Sequence, residues 1–219
     1  MPIRTLACVA LLACLIAGGL RQAAGIDLEQ LRQAIAARFG SEPPALLADW
    51  QRLLKDERKT DEAEKLRRVN DFFNRRIAFD DDQSVWGQHD YWATPLELMG
   101  QGRGDCEDFS IAKYYSLLAL GVPINKHRLV YVKALQNTPN GTFLQAHMVL
   151  AYYATPNADP AVLDNLNPQI LPASRRSDLT PIFSFNGAGL WQGTGNQSSK
   201  SNLSRWQDLL SRARAEGFQ

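Results

Sequence analysis

Residues 102–110, GRGDCEDFS, set a single thiol among three carboxylates. Asp105, Glu107 and Asp108 crowd Cys106, and negative neighbours oppose formation of the thiolate, the reactive form of cysteine. Position argues the other way. A cysteine at a helix start faces free backbone N–H groups, which stabilise a thiolate, and the glycines leave room for a substrate backbone beside the sulfur. A nucleophile at this place needs a base and a group that orients the base. The sequence holds three histidines. His89 sits in an acidic stretch, and His127 stands beside Lys126 at a strand entry, where a surface histidine is unremarkable. His147 is embedded in the apolar run FLQAHMVLAYY. Asp164, in AVLDNL, is likewise polar among aliphatics. Cysteine at a helix start, histidine on a following strand and aspartate on the next is the layout of an activated thiol. Asp164 would hold the remote nitrogen of His147, and the imidazole would take the thiol proton.

Each residue also has a plainer explanation. Asp105 is a good N-cap, acids in a first helical turn complement the helix dipole, and Cys106 would then be a small hydrophobe. A lone histidine in an apolar strand is commonly a satisfied core residue, and Asp164 could cap a turn with Asn165. The cysteine count favours the functional explanation. Cys8 and Cys14 lie in the N-terminal apolar segment, so their removal leaves Cys106 unpaired, a liability in an oxidising compartment unless it is buried or used.

The elements that must position these groups follow from the rest of the chain. Residues 1–24 carry Arg4, an apolar run of about 15 residues and small residues near a plausible cut. This is the pattern of a secretory signal peptide, and the run is short of the ~20 residues that span a bilayer. A retained anchor is the alternative. Residues 25–219 make one domain, long enough to bury a core without disulfides. A formal net charge of +1 with no long basic block gives no hint of nucleic-acid binding.

Helical periodicity comes first. DLEQLRQAIAARFG is a helix with Asp27 as N-cap, Leu28, Leu31 and Ile35 on one face and Gly40 as stop. PPALLADWQRLLKD and DEAEKLRRVNDFFNRRI follow, and AFDDDQSVWGQHDYW reads as a polar loop. Thr94-Pro95-Leu96-Glu97 is a capping box with proline at the first helical position. CEDFSIAKYYSLLALG is a further helix. The period then changes to two: HRLVYVKAL and TFLQAHMVLAYYA read as a hairpin around TPNG, AVLDNLNPQI as a third strand or strand edge and PIFSFNGAGLWQ as another strand. GTGNQSSKSN reads as a flexible link to a final amphipathic helix bearing Leu203, Trp206, Leu209 and Leu210. Helices first and an antiparallel sheet second define the α+β class.

YWATPLELMGQGRGDCEDFSIAKYYSLLALGVP, QAHMVLAY and VLDNLNPQI together resemble the bacterial transglutaminase-like cysteine proteinases, most closely the LapG-type periplasmic proteases. The resemblance runs from the helices before residue 70 to about residue 192. It implies a papain/transglutaminase-like core, with the helical N-terminal half packed on an antiparallel sheet and the catalytic Cys106 at a helix N-terminus. The family triad falls on Cys106, His147 and Asp164. Such proteases cleave the N-terminal region of a large surface adhesin near a paired-alanine site, and so control biofilm release. An inner-membrane receptor that responds to cyclic di-GMP restrains them, and they depend on calcium.

Calcium gives the acids a second role. Ca²⁺ takes 6–8 oxygen ligands; Asp105, Glu107 and Asp108 can supply several, with carbonyls, water or the preceding acidic loop supplying more. A bound cation would cancel the charge that otherwise raises the thiol pKa. In the acyl transfer that this triad performs, the backbone N–H of Cys106 serves the oxyanion and the indole N–H of Trp92 is a candidate second donor, although tryptophan in YWATP equally fits core packing. The same triad also serves a transglutaminase or amidase, and a non-catalytic receptor-binding module remains the reading from another class.

Overall fold

The computed structural model describes residues 25–139, 141–195, 198–199 and 203–219. The segment assigned to the signal peptide lies outside the described residues. Among those described, no helix is long and apolar enough to cross a membrane.

The helices come where the caps put them. Helix α1 (Leu28–Phe39) starts on Asp27, whose carboxylate accepts the N–H groups of Glu29 and Gln30, and it ends at Gly40 with φ 63°. Helices α2 (Ala45–Asp56) and α3 (Glu62–Arg76) follow, the latter capped by Asp61. Leu28, expected on the buried face of α1, is 62 % exposed. The first turn of α1 is engaged through its polar groups instead: Asp27 N–H and the Gln30 side chain bond the C-terminal carbonyls of Gly217 and Arg214.

The stretch read as a polar loop is more ordered than expected. It contains strand β1 (Ala78–Phe79) and the one-turn helix α4 (Asp82–Trp86), capped by Asp81. Helix α5 (Pro95–Gln101) carries both halves of the Thr94–Glu97 capping box, at 3.1 and 2.9 Å. Strand β2 (Arg103–Gly104) pairs in parallel with β1 and leads into α6 (Cys106–Ala119).

Every residue of α6 from Glu107 to Leu118 is buried. A helix covered all round belongs in the middle of a domain; α6 packs between α3, α5 and the sheet. The Trp50 indole of α2 reaches it to donate to Ser116 Oγ at 2.8 Å. Helix α7 (Ser204–Ala215) closes the chain, with Trp206 and Leu209 buried and Phe218 packed on Trp50 and Tyr115.

The main sheet has seven strands in the order β6-β5-β4-β3-β7-β8-β9, and every neighbouring pair is antiparallel. Strands β3 (His127–Thr138) and β4 (Gly141–Tyr152) are the expected hairpin. AVLDNLNPQI gives only the short β5 (Ala161–Leu163), and the chain returns as β6 (Leu171–Pro172). PIFSFNGAGLWQ supplies two strands rather than one, β7 (Leu179–Asn186) and β8 (Gly189–Gln192). Part of the link read as flexible, Ser198–Ser199, pairs with β8 as β9; residues 196–197 and 200–202 lie outside the described residues.

The brevity of β5 matters for the site. On β4 it pairs only with Leu150–Tyr152, so among the described residues no strand covers the β4 edge from Gly141 to Val149. Helix α6 docks on that edge, where Ser110 Oγ donates to the Met148 carbonyl at 3.0 Å.

Candidate active site

The chain enters α6 through a tight passage. Gly102, at φ 67°, ends α5, and two residues later the backbone of Gly104 presses against the Asp108 carboxylate. A Cβ at Gly104 would stand 2.4 Å from Asp108 Oδ2 and 2.7 Å from Leu98 Cδ1, so a side chain there would displace the acid. Asp108 itself is fully buried and accepts the Ala93 N–H at 2.7 Å, which ties the preceding loop to the helix start. The reciprocal bond from Asp105 N–H to Asp108 Oδ2 is long, at 3.4 Å.

Cys106 is half-buried at the head of α6. Its thiol bonds Glu107 Oε2 at 3.0 Å. Burial, then the charges of Glu107 and Asp105, push the thiol well above its ordinary pKa; the edge N–H of Met148 opposes them. That amide belongs to the residue next to His147, so the free edge of β4 carries the imidazole into the cysteine's neighbourhood. Cys106 and His147 line one cleft of about 860 Å³, together with Trp92, Tyr131, Phe183 and Arg205. Tyr131 and Phe183 stack in its wall, their ring centroids 5.1 Å apart.

His147 and Asp164 are both buried, and His147 Nε2 meets Asp164 Oδ1 at 2.8 Å. Asp164 follows the last residue of β5 and is opposite no ladder partner; the register Leu150↔Leu163 makes His147 its diagonal neighbour. The Leu166 N–H donates to the same oxygen at 2.9 Å, and Arg176 donates to Oδ2 at 2.7 Å. Burial raises the Asp164 pKa, but the bonds and charges of His147 and Arg176 outweigh it and hold the carboxyl at about 2. Asp164 is therefore an anion at any working pH.

The other two histidines separate. His89 is exposed on the cleft rim. His127, expected at the surface, is fully buried against Tyr114, with centroids 5.0 Å apart, because it opens a strand that runs under α6. Burial drives its pKa down to about 4.

Among the described residues, the expected acids fall into two groups that share Asp105: one with Asp82 and Asp108, the other with Cys106 and Glu107, each with ligand atoms within 4.8 Å of one another. Asp82, from α4, was only one of several acids in the preceding loop. It is buried, accepts the Tyr91 N–H through Oδ2 at 2.5 Å and, among the described residues, leaves Oδ1 without a partner. Asp105 Oδ1 is also buried and has no partner among the described residues. Burial first, and then the charge of Glu107, raises the pKa of Asp105; burial first, and then the charge of Asp105, raises that of Asp108. Buried carboxylates with free oxygens are costly unless a cation satisfies them, and an all-oxygen donor set suits calcium. Asp82, Asp105 and Asp108 fit that ion, with Glu107 turned to the thiol beside them.

Trp92 lines the cleft, but its indole N–H is bonded to Asp90 Oδ1 at 3.1 Å, and its ring stacks on Phe185. Service to an oxyanion would require the Asp90 bond to exchange. Asp90 is also held by Arg205 at 2.7 Å, and it has a left-handed φ of 57°.

The fold and the thiol-bearing cleft define a cysteine protease of papain/transglutaminase-like architecture, and comparison with known proteins gives the same class. Residues 49–179 match the model of the bacterial transglutaminase-like cysteine proteinases, and the chain belongs to that family. Among solved structures it is similar to LapG of Legionella pneumophila. The calcium-bound form is 36% identical, with a TM-score of 0.72, over 85% of this chain and 99% of that one. The EGTA-treated form is also 36% identical, with a TM-score of 0.72, over 87% and 100%. Comparison with curated proteins finds no match.

Proposed function

We propose that this chain is a calcium-dependent periplasmic endopeptidase that uses Cys106 as nucleophile, His147 as base and Asp164 as the group orienting His147. The observation that carries the reading is the shared cleft: a thiol at a helix start and an imidazole held from behind by a buried carboxylate line the same space. In the acylation step His147 takes the thiol proton and the sulfur attacks the scissile carbonyl. The oxyanion faces the Cys106 backbone N–H, which has no intrahelical partner at this position. The imidazolium then protonates the leaving amine, and water hydrolyses the thioester with His147 again as base. Asp164 stays ionised throughout and stabilises the imidazolium.

Calcium, when bound, supplies positive charge beside the thiol, and Asp82, Asp105 and Asp108 would hold it. The thiol's bond to Glu107 is then the contact that must yield before His147 can receive its proton. That Legionella pneumophila LapG has been solved both calcium-bound and EGTA-treated supports a role for the ion here.

The substrate we assign is the N-terminal region of a large surface adhesin, cut near a paired-alanine site, with access restrained by a membrane receptor responsive to cyclic di-GMP. The test is digestion of an adhesin N-terminal fragment with and without calcium, beside Cys106→Ala. Discrete cleavage that requires both calcium and Cys106 is expected. Cleavage by Cys106→Ala removes the nucleophile. Incorporation of an amine into a glutamine donor, without hydrolysis, would make the chain a transglutaminase instead.

A further inference from the structure

Arg176 has no part in the chemistry described above, yet it is among the most buried charges of the chain, 4 % exposed. It follows the short turn Ala173–Arg175, beyond β6, and comes back to Asp164. The Asp164 carboxylate is divided between partners. Oδ1 receives His147 and the Leu166 N–H, while Oδ2 receives Arg176. With Oδ2 held by a planar, permanently charged donor, rotation of the carboxyl would break the Arg176 bond and the His147 bond together. Arg176 is fixed in turn by Asp178, through Nε at 3.0 Å and Nη2 at 2.8 Å.

The remaining surroundings of Asp164 cannot do this work. Asn74, from α3, donates to the Asp164 main-chain carbonyl at 2.7 Å and leaves the carboxylate alone. Lys113, from α6, senses the Asp164 charge but makes no hydrogen bond among the described residues. Arg176 is therefore the only side chain besides His147 that bonds this carboxylate among the described residues.

We infer that Arg176 is a positioning residue of the protease: by clamping Asp164 Oδ2 it aims Oδ1 at His147 and so sets the imidazole that serves Cys106. The inference rests on the thiol–imidazole–carboxylate assignment proposed above. It concerns orientation, so it predicts a loss in kcat rather than in KM.

The test compares wild type, Arg176→Met and Arg176→Lys in adhesin-fragment cleavage, in alkylation of Cys106 by iodoacetamide, and in thermal unfolding. For Arg176→Met, kcat should fall by about 10- to 100-fold with KM within about twofold, the scale of a displaced catalytic group. Arg176→Lys keeps the charge and one line of donation, and should recover part of that loss at the same KM. Folded Arg176→Met with wild-type kcat overturns the inference, as does a change confined to unfolding temperature. If Arg176→Met does not fold, Arg176→Lys decides: a kcat reduced at least about threefold at constant KM supports the clamp, and a wild-type kcat refutes it. Alkylation needs no substrate and separates the two failures. Should wild type cleave no adhesin, the substrate reading falls, and an alkylation rate lowered in Arg176→Met still supports the clamp while an unchanged rate overturns it.

Discussion

Lys113→Met should make this protein more stable, and the gain should depend on pH. The lysine lies two turns below Cys106 on α6, fully buried, with its Nζ unpartnered among the described residues and 5.9 Å from the Phe109 ring centroid. Burial drives its pKa from 10.5 to about 7, against the opposing pull of the Asp164 charge. The gap of about 3.5 pH units, at about 1.4 kcal/mol each, makes the protonated lysine about 5 kcal/mol costlier in the folded state than in the unfolded chain. Because the folded pKa is the lower one, the unfolded chain binds the extra proton between pH 7 and 10.5. Stability rises with pH across that window, and the penalty is complete below it. Methionine keeps the length of the side chain and removes the charge. The variant should gain about 5 kcal/mol at pH 6 and roughly 1–2 kcal/mol at pH 9.5. For a domain of this size that is a rise of about 10–20 °C in Tm at pH 6. Calorimetry of both proteins at pH 6, 8 and 9.5 measures it. A variant no more stable than wild type at pH 6, or one whose gain is the same at all three, would refute the argument.

Other perturbations test other parts of the molecule. Asp82→Asn should weaken the calcium-induced rise in melting temperature, read by titrating calcium into EGTA-treated protein; a wild-type midpoint would remove Asp82 from the ligand set. Arg212→Met takes away the cation that bonds Glu97 at 2.5 Å, Tyr91 Oη at 3.0 Å and the Trp92 carbonyl at 2.6 Å. Loss of the main partner of the buried Glu97 should cost about 2–4 kcal/mol in urea unfolding, and a cost under about 0.5 would show the network to be ornamental. His127→Phe should flatten acid sensitivity. With a folded pKa of about 4 against 6.5, His127 costs the folded state up to about 3 kcal/mol as pH falls from 6.5 through 4. An unchanged acid-unfolding midpoint would contradict this.

Features governed by neighbours in sequence were legible beforehand. The cap at Asp27, the Thr94–Glu97 box, the stop at Gly40 and the β3–β4 hairpin each arise from a few adjacent residues, and each stands where the pattern put it. The GDCEDFS signature with the spaced histidine and aspartate also pointed to the family the chain belongs to. The three acidic residues in a row at 80–82 carry no local mark that distinguishes Asp82. Its selection comes from the one-turn helix α4, which turns it inward toward Asp105 and Asp108. His127 looked like a surface residue because its neighbour is Lys126, whereas its burial is decided by Tyr114 on another element.

The sequence by itself determined the longer helices, the central hairpin, the α+β class and which residue types were available for thiol chemistry, because propensity, periodicity and capping act over one or two turns. The tertiary structure alone decided which of these groups meet. A three-residue β5 leaves an edge of β4 open to the cysteine helix, Asp164 stands beyond the last ladder pair beside His147, and Arg176 returns from another turn to hold it. Electrostatics and desolvation depend on distance through space and on what excludes water, and neither is written in the order of the residues.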